Sequence, residues 1–451
     1  MRYFKIFIFA AFLASSALNA SAAEKAEAKN NFKLYGFIRN YFVFDSRESV
    51  SGTGDLFYYL PKDVKMQDGI DLNDQASFTY LSLTSRLGLD VTGYQIGNVH
   101  FSAKIEGDFY SGLSNSSNAN AGTYFPGNTK ISGTAQARLR QAYATVTWKE
   151  LGKSQKNSVA LKMGQAWHPM AADMPHIFSL EAGAPFGPFS RTPQVTMDAN
   201  LGKNWTVTGS ALWQMQYTSM GPAGSSADYI KYSCVPELYA GVTFKSNGFL
   251  MRLGADMLSI KPRTKGEYAG HAIKVSDRIT TASLFAYAQY NKDLFSVKAK
   301  TTYGSAGEHM GLMSGYAKVG EDDGHWRYSP LHSSSSWVSF SYGKKVQGVL
   351  LLGYMKNLGL SPDPRRDSVK AADVYFNKNG FSNLRQMYRI NPEILYTFGK
   401  FVIGLEWQFT AVEYGKYSGL DKDLLNGRGL AVEDPHWVGN HRIQSMVRFN
   451  F

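Results

Sequence analysis

Trp437-Val-Gly-Asn-His-Arg-Ile-Gln-Ser-Met-Val-Arg-Phe-Asn-Phe451 closes the chain, and its reading decides the fold. In steps of two, Ile443, Val447, Phe449 and Phe451 share one side, while Arg442, Gln444, Arg448 and Asn450 share the other. That is the period of a strand with one apolar and one polar face, and Ser445 and Met446 are its imperfections. A last strand that ends on an aromatic residue still needs a partner for its open edge. Closure of the sheet into a barrel supplies one.

The other end of the chain sets the compartment. Arg2 and Lys5, an apolar run from Ile6 to Leu13 and the small-residue segment Asn19-Ala20-Ser21-Ala22 have the form of a cleaved signal peptide over residues 1–22. Beyond it no apolar run reaches the ~20 residues a membrane helix requires. The exported chain is therefore either water-soluble or a closed barrel, since only helices and closed barrels satisfy their backbone in lipid. Composition favours the barrel: 14% aromatic residues, 43 Gly, 27 Tyr and 28 Phe coexist with a mean hydropathy of −0.27, as expected when half of each strand meets lipid and half meets water. Cys234 is the lone cysteine, which excludes an internal disulfide and a thiolate-rich metal site. The formal charge of +12, lowered by the two signal-peptide cations, points in an exported chain to anionic solutes or lipopolysaccharide phosphates and not to nucleic acid.

After a short linker, residues 23–30, the barrel domain is expected over residues 31–451. Long polar connections at 46–75, 111–134, 168–190, 219–233, 261–275, 304–333, 358–383 and 415–436 alternate with short turns at 93–97, 150–156, 201–204, 245–248, 291–293, 343–345 and 398–400. The turns carry Gly, Asn or Asp where tight hairpins need positive φ. These connections predict an all-β, transmembrane, antiparallel up-and-down β-barrel of about 16 strands, with long extracellular loops and short periplasmic turns. Two segments, Ala282 to Tyr290 and Val346 to Met355, are apolar on both parities, so their register stays open. Dense charge on the inward parity, Lys104, Glu106 and Asp108 on the third strand and Arg138 and Arg140 on the fourth, would be costly in the dry core of a β-sandwich. In a wet lumen it costs little.

Arg138 and Arg140 repel each other and cannot shed their charge. Either an anion relieves them or they pair with Glu106 and Asp108 on the neighbouring strand, and both can hold at once. The third long connection, His168 to Ser190, is stiffened by Pro169, Pro175, Pro185 and Pro188 and carries Phe178, Phe186 and Phe189. Such a segment is expected to fold against something, either the lumen wall or the barrel mouth. If it enters the lumen, its Asp173 and Glu181 should face Arg138, Arg140 and Arg86. No catalytic set emerges; Glu321-Asp-Asp-Gly-His325 lacks the ligand spacing of a calcium loop. No cofactor or metal site is expected.

Arg138-Leu-Arg-Gln-Ala-Tyr143, then Met163-Gly-Gln-Ala-Trp-His-Pro169, then Arg191-Thr-Pro-Gln-Val195, together with Leu34-Tyr-Gly-Phe-Ile-Arg39, resemble the DcaP-like porin family, firmly over residues 34–195. The C-terminal strand is similar to that of Gram-negative outer-membrane barrels, whose terminal Phe is read by the barrel-insertion machinery. The resemblance implies a homotrimeric sixteen-stranded outer-membrane porin, related in architecture to phosphate-selective porins, with the third loop narrowing the lumen. Some relatives carry an N-terminal coiled coil; residues 23–30 are too short for one, so a trimer would rest on the barrel walls. The function expected is passive diffusion of small hydrophilic solutes past outer-membrane lipids and lipopolysaccharide, with a basic constriction preferring anions. A dedicated phosphate or dicarboxylate channel, a barrel enzyme and an adhesin are the alternatives.

Overall fold

The computed structural model describes residues 27–52, 57–81, 85–110, 136–378 and 380–451. The expected signal peptide and the first residues of the expected linker lie outside them. Sixteen strands form the wall: β1 (Glu27–Asp45), β2 (Ser77–Leu81 with Arg86–Ile96), β3 (Val99–Tyr110), β4 (Gln136–Leu151), β5 (Asn157–Trp167), β6 (Arg191–Leu201), β7 (Trp205–Leu212), β8 (Glu237–Ser246), β9 (Phe249–Ile260), β10 (Ile279–Lys292), β11 (Phe295–Ser305), β12 (His325–Gly343), β13 (Val346–Leu360), β14 (Leu384–Phe398), β15 (Phe401–Lys416) and β16 (Glu433–Asn450). Each pairs antiparallel with its neighbour in sequence. β16 returns to β1 in the register Phe37↔Asn450 through Asp45↔Arg442, so the sheet has no free edge.

Alternation sorts the two faces as the sequence implies. Leu34, Ile403 and Leu405 on the outer parity are 63%, 51% and 53% exposed, while Arg39, Tyr41, Val43 and Asp45 on the inner parity are buried. Aromatic residues flank the short turns on the outer face: Trp205, Phe295, Tyr342, Phe398 and Phe401 are all exposed, and neighbours such as Trp205 and Phe244 or Phe401 and Phe449 touch. Such a girdle sits where a membrane meets water.

Three features depart from expectation. β1 begins at Glu27 and pairs with β2 from there, inside the stretch read as a linker. β12 begins at His325, within the expected sixth long loop, and Gly315–Asp322 pairs with its first half, so a hairpin prolongs the wall beyond the barrel. The third departure concerns the interior, which is not water-lined all round. On the β10–β15 side it is packed, and that packing explains the two ambiguous strands: Phe285 and Tyr287 of β10 and Leu351 and Met355 of β13 point inward yet are buried in one apolar cluster with Phe186 and Phe189 of the 168–190 loop. Both parities are apolar there because one meets lipid and the other meets protein.

Candidate functional site

The loop at 168–190 leaves the wall at the end of β5 and returns at β6, its base closed by the His168 N–H donating to the Ser190 carbonyl at 3.0 Å. Between those points it crosses the lumen. Lys300 of β11 donates to the Met170 carbonyl, and Lys298 donates to that of Met174 at 3.2 Å. The His176 N–H donates to Ser339 Oγ of β12 at 3.2 Å. At the far wall the Phe178 N–H donates to Glu393 Oε2 of β14 at 3.1 Å, and Tyr41 of β1 donates to the Phe178 carbonyl at 2.8 Å. Two wall glycines let the aromatic side chains seat: a Cβ at Gly353 would come within 2.5 Å of the Phe186 ring, and one at Gly404 within 2.7 Å of Phe178.

The opposite part of the wall is charged. β3 and β4 place Asp108 opposite Arg138, and the guanidinium grips the carboxylate with two bonds of 2.8 Å. Arg140 donates to Glu106 Oε1 at 2.9 Å and to Asp108 Oδ2 at 2.8 Å. Glu106 also accepts from Tyr35 at 3.0 Å and lies 3.7 Å from Arg86. Three further arginines join this group. Arg39 and Arg448 are direct cross-strand partners, a like-charge juxtaposition that is unfavourable by itself. The Phe37 ring lies among them, with Arg39, Arg86 and Arg448 at 4.7, 5.0 and 5.8 Å from its centroid. Arg191, 1% exposed at the start of β6, stacks on Trp167 at 4.7 Å and has Arg140, Arg138 and Asp108 as its electrostatic neighbours. Six guanidiniums thus share two carboxylates among the described residues of this patch. Among the described residues, the Nε atoms of Arg86, Arg191 and Arg448, and Nη1 of Arg191, have no hydrogen-bond partner.

Arg138, Arg140, Arg86, Glu106 and Asp108 therefore come together as expected, in the wall pairs that the sequence allows. Lys104 stands apart, bonded to Asp90 at 2.8 Å and to Tyr35 at 3.0 Å. The expectation for Asp173 and Glu181 needs correction. Asp173 pairs with Arg252 of β9 at 2.6 Å, and Glu181, buried at the far wall, lies 3.5 Å from Arg389 of β14. The loop runs across the barrel before its acids appear, so each meets the arginine of a later strand. Arg448 lies on the polar side of the last strand, but the alternation along that strand does not show that closure brings it, with Arg39, to Arg86. Between the start of the loop and β5–β9 remains a cavity of about 320 Å³ lined by Lys162, Gln194, Asp198, Asn200, Thr208 and Arg252.

A closed sixteen-stranded barrel with an apolar outside, an aromatic girdle and a loop laid across a charged lumen has the architecture of the porins. No family model matches the chain, and no curated protein matches it. Among solved structures it is similar to the outer membrane channel DcaP of Acinetobacter baumannii, at 17% identity over 96% of this chain and 100% of that one, with a TM-score of 0.61. It is also similar to the anion-selective porin from Comamonas acidovorans, at 10% identity over 94% and 100% of the two chains, with a TM-score of 0.52. The chain shares the fold of the DcaP channel, in agreement with the motifs at 34–39, 138–143, 163–169 and 191–195.

Proposed function

We propose that this chain is an outer-membrane porin of a Gram-negative cell, exported by a cleaved leader and assembled as a homotrimer, through which small hydrophilic solutes diffuse with a preference for anions. The reading is of a channel and not of an enzyme. One observation carries the preference: among the described residues six guanidiniums, those of Arg39, Arg86, Arg138, Arg140, Arg191 and Arg448, stand against two carboxylates, and N–H groups of Arg86, Arg191 and Arg448 have no acceptor there. Fixed positive charge lowers the barrier for an anion and raises it for a cation, and the loop at 168–190 limits the width. The Comamonas porin shares only the fold, so selectivity rests on the patch itself.

Those same N–H groups favour a second reading, a saturable subsite for phosphate or a dicarboxylate, which guanidiniums bind in a bidentate manner. The test is a planar-bilayer recording in a salt gradient. The reversal potential of the wild type should indicate anion preference, and Arg138→Ala with Arg140→Ala should move it toward cations because the patch then loses the two positive charges paired with Glu106 and Asp108. An unchanged reversal potential would remove these residues from the constriction. Concentration-dependent block of chloride current by phosphate or succinate would separate the second reading from the first.

A further inference from the structure

We propose that a divalent transition-metal ion of the zinc class binds at the root of the 168–190 loop, between His168, Glu237 and Asp256, with His309 hydrogen-bonded to Glu237 behind them. The four side chains arrive from four places: the residue after β5, the first residue of β8, the inner face of β9 and the 3₁₀ turn Glu308–Met310 in the loop after β11. Because they are scattered, no metal-ligand spacing shows in the sequence. All four are at most 2% exposed.

The His168 Nε2 lies 3.2 Å from Glu237 Oε1 and 3.8 Å from Asp256 Oδ1, and the His309 Nε2 lies 2.6 Å from the same Glu237 oxygen. Nitrogen and oxygen ligands at about 2.0–2.2 Å from a tetrahedral zinc stand roughly 3.5 Å from one another, which is close to the first two separations, whereas 2.6 Å is a hydrogen bond and leaves His309 outside the ligand set. Among the described residues, Glu237 Oε2 and Asp256 Oδ1 have no hydrogen-bond partner. Two buried carboxylates with unused oxygens are costly without a cation between them. The nearby Glu308 carboxyl accepts from the Met220 N–H at 3.3 Å. A set of imidazole and carboxylates without thiolate suits zinc and its neighbours and not the soft monovalent ions. Trp167 and Pro169, on either side of His168, line the lumenal cavity, which gives the side of approach.

Occupancy would also act on the loop. The His168 Nδ1 accepts from the Met170 N–H at 3.1 Å and so caps the turn Pro169–Ala171. That bond keeps the ring hydrogen on Nε2, where it points at Glu237. An ion on Nε2 moves the hydrogen to Nδ1, where it meets the Met170 N–H, and the cap is released. Binding therefore loosens the first turn of the segment that crosses the lumen.

The experiment uses the full-length protein in detergent, stripped with a chelator. Cobalt(II) should develop a visible absorption band of N/O coordination, and zinc should raise the unfolding midpoint by a few degrees, since a ligand of the native state stabilises it. Asp256→Asn and His168→Gln should each abolish both responses. His168 lies in the loop after β5, so that variant serves if the wall variant fails to fold. No response in the wild type, or an undiminished response in His168→Gln, overturns the site. A response lost in the variants, with single-channel current indifferent to zinc, keeps the site and overturns its coupling to the loop.

Discussion

The Tyr41 hydroxyl donates to the Phe178 carbonyl at 2.8 Å, joining the first strand of the barrel to the segment laid across its lumen, 137 residues later. The two rings stack at 6.2 Å, and Phe178 shares a buried cluster with Val43, Leu81, Val402 and Met446. The loop is thereby held to the wall at both sides of β16, and its position becomes a property of the closed barrel.

Removing that hydroxyl should loosen the loop without harming the wall. Tyr41→Phe keeps the ring contact and loses one hydrogen bond, worth about 1 kcal/mol. The expected result is greater open-channel current noise in a bilayer, with the folded barrel's resistance to heating in SDS unchanged. A quiet channel identical to the wild type would show that the backbone bond from Phe178 to Glu393 suffices.

The closure seam carries a more consequential pair. Asp45 and Arg442 are cross-strand partners of β1 and β16, joined by bonds of 2.9 and 2.8 Å, and both side chains are buried. Asn440 donates to the same carboxylate at 2.6 Å. Asp45→Ala strips both groups of this acceptor, and a broken buried pair costs about 3–5 kcal/mol. The gel-shift temperature of the folded barrel should fall, with Asp45→Asn intermediate because it retains an acceptor oxygen.

His176, in the lumenal loop, gives a pH dependence. Burial, aided by Lys298, pushes its imidazole down to about 4, from an ordinary value of 6.5. The unfolded chain then takes up a proton that the native loop refuses. Native stability is complete above the ordinary value and falls as the pH drops from there toward about 4. Unfolding midpoints measured between neutral and mildly acidic pH should decline less steeply in His176→Gln than in the wild type. Equal slopes would mean that the ring is protonated in place.

Met446 shows where sequence and structure part. In the sequence it is a flaw in the alternation of β16, an apolar residue on a polar face; in the barrel it is fully buried in the cluster that receives Phe178. The double apolarity of β10 and β13 has the same cause. Each such irregularity marks a place where the inner wall meets the loop, but nothing in the local pattern names the partner.

The strand count, the two faces of each strand and the alternation of long and short connections were determined by the sequence alone, and the pairing of Arg138 and Arg140 with Glu106 and Asp108 was one of the two outcomes it allowed. All of these depend on a period of two residues and on neighbouring strands, and such relationships are local. Only the tertiary structure decided that Arg39 and Arg448 stand with Arg86 around Phe37, that Asp173 and Glu181 answer to Arg252 and Arg389, and that Glu237 meets both His168 and His309. Those contacts join residues brought together by ring closure or by a loop spanning the lumen, and the alternation within a single strand carries no information about what lies across the barrel.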